Sequence, residues 1–257
     1  MGANRMKRVA LQRAPTVRVG CAGWSISSAN SAQFPGEGSH LERYAGMFNC
    51  VEINSSFYRP HMPKTYRRWA DSVPDEFRFS VKIPRSISHE QRLVDCESDV
   101  AAFLLQVCRL EQKLGCLLLQ LPPSLPFERI RAITFFRQLR RATKLPVVYE
   151  PRHVSWFTPE ASSALRELDI SRAAADPAVV PQAMLPAGSS SLQYLRLHGS
   201  PRMYYDAYSD ETLKNVAKDL SQTSSSVSQH WCIFDNTALG HATSNALALI
   251  DILRGAG

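Results

Sequence analysis

The sequence predicts an α/β protein, a (β/α)8 TIM barrel, from three observations. Eight short apolar runs recur along the chain, beginning near Val17, Cys50, Arg78, Gly115, Leu145, Ser171, Leu192 and Trp231. Helical patterns separate most of them. The 257 residues, shared among eight units, give about 32 each, the size of one strand–helix repeat in a barrel. Strands alternating with helices imply parallel strands joined by right-handed crossovers. The alternative is an open doubly wound sheet. No GxGxxG or GxxxxGKS/T motif follows any run, so the usual nucleotide signatures of open sheets are missing.

Each apolar run is short and ends in a polar residue, Gly or Pro, as strands do. Phe103, Val107, Leu110 and Leu114 follow helical spacing. So do Ala132, Phe135, Phe136 and Leu139, then Leu213, Val216, Ala217 and Leu220, then Ala246, Leu249, Ile250 and Leu253. Thr158 before Pro159 predicts a helix start, and so does Ser209 before Asp210 and Glu211, whose acids face the positive helix end. Residues 177–191 carry three prolines and no amphipathic period, so this crossover is expected to lack a full helix. The predicted organisation is a basic leader over 1–16, expected to be disordered, and a single barrel domain over 17–257.

Hydrophobic residues make up 44% of the chain, enough for a sizeable core. No apolar run reaches the ~18 residues of a membrane span, and the first residues lack the apolar stretch of a secretory signal. The six cysteines form no CxxC pair. Cys21, Cys50, Cys116 and Cys232 fall in strand-like runs and read as small buried hydrophobes, which fits a cytoplasmic protein. Of the net charge of +7, four charges come from Arg5, Lys7, Arg8 and Arg13, in a segment without acids. A second basic cluster, Arg129, Arg131, Arg137, Arg140, Arg141 and Lys144, lies on a predicted helix. It reads first as a solvated outer face and second as a phosphate-backbone patch.

Barrel strands alternate side chains inward and outward, and their C-terminal ends open on the site face. That alternation groups Glu52 with Asn54, sets Lys82 opposite Val81 and Ile83, pairs Glu150 with Arg152, and pairs Arg196 with His198. Gln120, Asp176, Asp235 and Asn236 stand at other strand ends, the facing of the last two unassigned. Most strands thus deliver polar groups to one rim, where a barrel needing only stability would keep branched aliphatics. The competing reading is an ion-pair network in which Lys82, Arg152 and Arg196 neutralise Glu52, Glu150 and Asp176. Trp24, Phe57, Tyr58, Trp156, Tyr204, Tyr205 and Tyr208 follow the strands, either walling a pocket or covering the barrel mouth.

Several segments resemble, in order, the motifs of the YecE-like family, also called domain of unknown function 72. They are CAGWS from Cys21, VEINSSFYR from Val51, FRFSVKIPR from Phe77, QLPPS from Gln120, EPRHVSW from Glu150, RLHG from Arg196 and FDNTALGHATSNAL from Phe234. The resemblance runs over most of 17–253. It implies a TIM-barrel fold and no established reaction. It marks Trp24, Glu52, Asn54, Phe57, Tyr58, Lys82, His89, Gln120, Glu150, Arg152, His153, Trp156, Asp176, Arg196, His198 and Asn236 as characteristic. Asp235 stands where the family often has a second Asn.

Three functional readings remain. The first is an enzyme using acid–base chemistry on a small anionic or sugar-like substrate. Glu52, Glu150, Asp176 and His198 would move protons, and Lys82 would act as electrophile or Schiff-base nucleophile. Arg152 and Arg196 would clamp an anion, beside Trp24, Asn54, Tyr58, Gln120, His153, Trp156 and Asn236 as substrate contacts. The second is a metal-dependent phosphodiesterase or nucleic-acid enzyme, with ions among Glu52, Glu150, Asp176, His198 and His89 or His153. No HxH, HExxH or paired-Cys motif supports it, so no metal ligands are assigned and the cofactor is left open. The third is a non-catalytic barrel binding a metabolite or nucleic acid, with the basic helix around Arg137 carrying the affinity. No membrane contact is expected, and oligomeric state is left open.

Overall fold

A computed structural model describes residues 16–189, 191–221 and 227–255. Residues 1–15 of the basic leader lie outside the described residues, and Thr16 opens the first strand. The strands are β1 (Thr16–Cys21), β2 (Cys50–Ile53), β3 (Arg78–Lys82), β4 (Leu114–Gln120), β5 (Val147–Glu150), β6 (Ile170–Arg172), β7 (Ala174–Asp176), β8 (Ala187–Gly188), β9 (Leu192–Leu197) and β10 (Gln229–Phe234). The α-helices are α1 (His40–Ala45), α2 (Pro63–Asp71), α3 (Glu97–Val107), α4 (Arg129–Ala142), α5 (Pro159–Arg166), α6 (Asp210–Ser221) and α7 (His241–Gly255). Every predicted apolar run contains a strand, and the helix starts at Thr158 and Ser209 are capped by those side chains. One helical pattern overruns: α3 stops at Val107, Glu111 adopts φ 50°, and Leu114 opens β4 instead of closing the helix.

Among the described residues the strands form a four-stranded sheet, β1-β10-β9-β7, and a six-stranded sheet, β2-β3-β4-β5-β6-β8. All pairs are parallel except β6 with β8. The fold is therefore α/β, but its ladders do not run continuously around a closed ring. The two seams have different causes.

The first seam lies between β1 and β2, joined by one bridge, Ala22 to Glu52. Side chains replace the missing ladder. Asn49 accepts from Val19 N (3.1 Å) and donates to Val17 O (2.9 Å). The Tyr44 hydroxyl accepts from Cys21 N (2.8 Å) and donates to Cys50 O (3.1 Å). Buried backbone groups without partners are costly, so these bonds hold the edges together. Gly20 permits the approach, because a Cβ there would lie 2.2 Å from Cys50 O.

The second seam splits the sixth predicted strand. β6 pairs with β5, while β7 pairs with β9. The Pro-rich crossover makes no α-helix; it forms a 3-10 turn at Pro181–Met184 and then β8, which pairs antiparallel with β6. β8 thus takes the edge of β6 that a barrel neighbour would use. Gly188 is required in it: its φ is +84°, and a Cβ would lie 2.2 Å from Ile170 O.

The period-two alternation sorts side chains into two layers. Val51, Ile53, Val81, Leu117, Leu119, Val147, Tyr149, Cys232 and Phe234 join the core against the helices. Cys50, Cys116, Leu118, Val148, Tyr194, Trp231 and Ile233, drawn from both sheets, form a smaller apolar cluster on the opposite face. The four strand cysteines are free and buried, as expected for small hydrophobes, and burial pushes the Cys21 thiol up to about 12. Among the described residues no helix is long and apolar enough to cross a membrane.

Candidate active site

The smaller apolar layer carries the site at its upper end. The alternation that puts Cys50, Val148, Tyr194 and Ile233 on that face puts Glu52, Glu150, Arg196 and Asp235 there too, one step further along each strand. Glu52, Glu150, Arg196 and His198 are 0% exposed; Lys82 and Asp235 are 5% exposed.

Arg196 is the centre. Its Nε and Nη2 grip Glu52 at 2.9 and 2.6 Å, Nη1 donates to Glu150 Oε2 at 2.7 Å, and Nη2 also reaches Asp235 Oδ2 at 3.0 Å. Glu52 takes a further bond from the Tyr194 hydroxyl at 2.9 Å, which lies 2.8 Å from Ser80 Oγ. Gln120 Nε2 donates to Glu150 Oε2 at 3.2 Å. His198 Nδ1 lies 3.0 Å from Asp235 Oδ2, an acceptor, so this nitrogen carries a proton. Its Nε2 faces both Glu150 Oε1 at 3.0 Å and Arg152 Nη2 at 2.8 Å. Arg152 Nη2 also pairs with Glu150 Oε1 at 2.6 Å.

Burial alone would raise the Glu150 carboxyl, but Arg196, Arg152 and His198 outweigh it and hold it well below the usual carboxylate range. Asp235 is lowered in the same way, burial opposing and Arg196 and His198 prevailing. Burial works against the charge of Arg196, yet Glu52, Glu150 and Asp235 raise it well above its ordinary value. Lys82 goes the other way. Burial and Arg196 push its amine down to about 8, against the upward pull of Glu52 and Glu150. Its Nζ sits 4.2 Å from the centroid of the Phe57 ring.

The structure brings together Glu52, Lys82, Gln120, Glu150, Arg152, Arg196 and His198. Other expected members lie elsewhere. Asp176 pairs in register with Leu197, which belongs to the helix-side core, so its carboxylate points out of the network. There it accepts a 2.7 Å bond from the Tyr208 hydroxyl and lines a cavity of about 250 Å³ against α6. Trp156 is not a pocket wall: it is 1% exposed, packs on Phe127 and Tyr149, and donates to Leu125 O at 2.8 Å. His153 caps the short 3-10 helix Val154–Phe157, taking Ser155 N at 3.2 Å. Asn236 is buried and ties Asp206 O to Asn245 Oδ1, both at 2.9 Å, and its Oδ1 takes no hydrogen bond among the described residues. Trp24 packs edge-on against Trp69, half-buried.

Asn54 and Tyr58 stay beside the strand ends. Asn54 precedes the 3-10 turn Ser55–Phe57, its Oδ1 buried and without a partner among the described residues. Tyr58 is 72% exposed. His89 packs edge-on against Phe57 at 5.0 Å, and Tyr204 against His198 at 5.8 Å. Sequence reasoning missed Asp235, Tyr194 and Ser80 as network members. The signal for Asp235 was the alternation Trp231, Ile233, Asp235. A cavity of about 560 Å³ adjoins this end of the fold, lined in part by Ala22, Ser25, Thr237 and Gly240. Ala22 is the bridge partner of Glu52.

Two expectations change with this geometry. Arg196 cannot help clamp an incoming anion, because Glu52, Glu150 and Asp235 already take its donors. Of the candidate metal ligands, Glu52, Glu150 and His198 come together around Arg196, while Asp176 and His153 point elsewhere, and among the described residues no three His, Cys, Asp or Glu side chains form a metal-holding group. The basic helix α4 is also less free than its sequence implies. Arg140 donates to Leu145 O at 2.6 Å, Arg131 pairs with Glu128 at 3.0 Å and Arg129 with Glu160 at 3.5 Å.

Comparison with known proteins agrees with the motifs. The chain is similar to the UPF0759 protein YecE of Escherichia coli (strain K12), 38% identical over 96 residues, or 37% of this chain. That match spans 35% of the Escherichia coli protein's length. It is 20% identical to the UPF0759 protein YunF of Bacillus subtilis (strain 168) over 92% of this chain and 94% of that one. A crystal structure of a DUF72 family protein from Thermotoga maritima MSB8 superposes with a TM-score of 0.79 at 26% identity, covering 93% of this chain and 99% of the other. A DUF72 family protein from Enterococcus faecalis V583 gives a TM-score of 0.78 at 22% identity, over 93% and 96% of the two chains. The family model described as "Protein of unknown function DUF72" matches residues 18–257, and the chain belongs to that family.

Proposed function

We propose that this chain is a (β/α)8-barrel enzyme that acts by acid–base chemistry on a small anionic or sugar-like molecule at the C-terminal ends of its strands. The observation that carries this reading is the uneven use of the three cations. Arg196 is consumed by three carboxylates. Among the described residues Arg152 gives only Nη2 to Glu150 and His198, and the Lys82 amine makes no hydrogen bond or ion pair. Donors are therefore left over at the upper surface of a network that is otherwise matched, and an anion is the partner that fits them. Burying ions costs several kcal/mol each, so a network this dense fits a site better than a stability device. His198, bonded to both Glu150 and Asp235, is placed to pass a proton between those two carboxylates.

The test is thermal unfolding with inorganic phosphate and a panel of sugar phosphates. A ligand at a hundred times its Kd stabilises by about 2.7 kcal/mol, which for a chain of this size raises Tm by roughly 5–11 °C. Lys82→Met and Arg152→Gln are expected to abolish that rise while remaining folded. No rise with any anion, or a rise that survives both substitutions, defeats the proposal.

A further inference from the structure

We propose that Lys82 is a nucleophile whose amine condenses with the carbonyl carbon of a small anionic aldehyde or ketone to form an imine, a step that rests on the anion-binding reading above and names its substrate class.

A lysine buried for structure alone needs a partner for its charge. Taking an ammonium out of water is costly, so such residues pair with a carboxylate or a carbonyl. Lys82 is 5% exposed and next to three carboxylates, yet all three bond to Arg196 instead. Among the described residues, the close partner of its amine is the face of Phe57. The charged groups that act on it are Arg196, Glu52, Glu150 and Asp235, and its own charge acts on His89. Arg196 repels an ammonium there, so the uncharged amine is favoured relative to solvent. With a value of about 8, roughly a tenth of the amine is free at pH 7, about 300-fold more than for a solvated lysine. A desolvated lysine without a partner is the form in which this side chain attacks carbonyls.

The surroundings supply the rest of the step. The amine lone pair forms the C–N bond as the carbonyl π electrons move to oxygen, which takes a proton. Nitrogen then loses one proton, the hydroxyl takes up another, and the C–O bond breaks to release water as the nitrogen lone pair forms the C=N bond, so nothing is oxidised or reduced. Both nitrogens of His198 are already engaged by Glu150 and Asp235, so water that enters with the substrate accepts and returns these protons. The spare N–H groups of Arg152 meet the substrate's negative charge. Asn54, with its unpartnered buried Oδ1 at the end of the neighbouring strand, is available to the carbinolamine hydroxyl.

The full chain is incubated with glyoxylate, and separately with pyruvate, in the presence of cyanoborohydride, which delivers hydride to the C=N bond and fixes the adduct. Peptide mass mapping then reads the modification at every lysine. Lys82 is expected to carry at least about tenfold more adduct than any other lysine at pH 7, with a labelling rate that levels off above about pH 8. The internal comparison among lysines needs no variant. Lys82→Arg, checked for folding by circular dichroism, is expected to lose the preferential adduct. Labelling of Lys82 at or below the level of surface lysines overturns the imine. If phosphate still raises Tm in that case, the anion-binding reading stands without it; if neither occurs, both fail.

Discussion

Arg196→Met is the substitution with the largest expected consequence. Breaking one buried ion pair costs about 3–5 kcal/mol, because it leaves an uncompensated charge out of water. Arg196 holds Glu52, Glu150 and Asp235 at once, so the loss belongs at the upper end, about 5 kcal/mol. For a domain of this size each kcal/mol shifts Tm by roughly 2–4 °C, and the expected fall is about 10–20 °C at pH 7.5. The pH dependence identifies the cause. In the native chain the Glu150 and Asp235 carboxyls lie below their ordinary values of 4.5 and 3.8. The stability they contribute is therefore complete above those values and is lost as pH falls through the lower folded-state values. Without Arg196, burial dominates and raises the same carboxyls, so protonation relieves the variant as pH falls. Its deficit is expected to shrink between pH 7.5 and pH 5 in scanning calorimetry. A Tm within about 2 °C of the parent, or a deficit that grows toward pH 5, refutes the reasoning.

Tyr194→Phe removes a buried hydroxyl that bonds Glu52 and Ser80; a loss of about 1–3 kcal/mol is expected in urea unfolding, with an unchanged m-value. Asp176→Asn is expected to leave any anion-induced Tm rise intact, because its carboxylate faces α6; loss of the rise would place it in the site after all. Gly188→Ala forces a Cβ against Ile170 O at positive φ, and its cost, at least about 1 kcal/mol, is expected as faster hydrogen exchange along β6 and β8.

Much of this was legible from alternation alone. Glu52, Lys82 and Arg196 each sit between branched aliphatics that mark the opposite face, and Glu150 and His198 follow Tyr149 and Leu197 on that same opposite face, so their convergence follows from period two. Asp176 was misplaced because its strand reads Ser171-Arg172-Ala173-Ala174-Ala175-Asp176, in which three alanines offer no contrast to set the phase. Trp156 shows the same limit for loops: an aromatic after a strand can wall a pocket or fill the core, and only its indole partner, Leu125 O, decides. The seams were illegible for a different reason. Which strand edges pair depends on neighbours far apart in sequence, and no local pattern announces that Asn49 and Tyr44 replace a ladder, or that a Pro-rich crossover lays β8 on β6. The consumption of Arg196 was hidden too, since spacing brings charges to one face without saying which carboxylate each cation takes.

A crystal structure of the chain soaked with inorganic phosphate tests the assignment of the site most directly. Phosphate density within hydrogen-bonding reach of both Lys82 Nζ and Arg152, with Arg196 still bound to its three carboxylates, is the expected result. An empty surface above the network, or phosphate held only by the exposed arginines of α4, contradicts it.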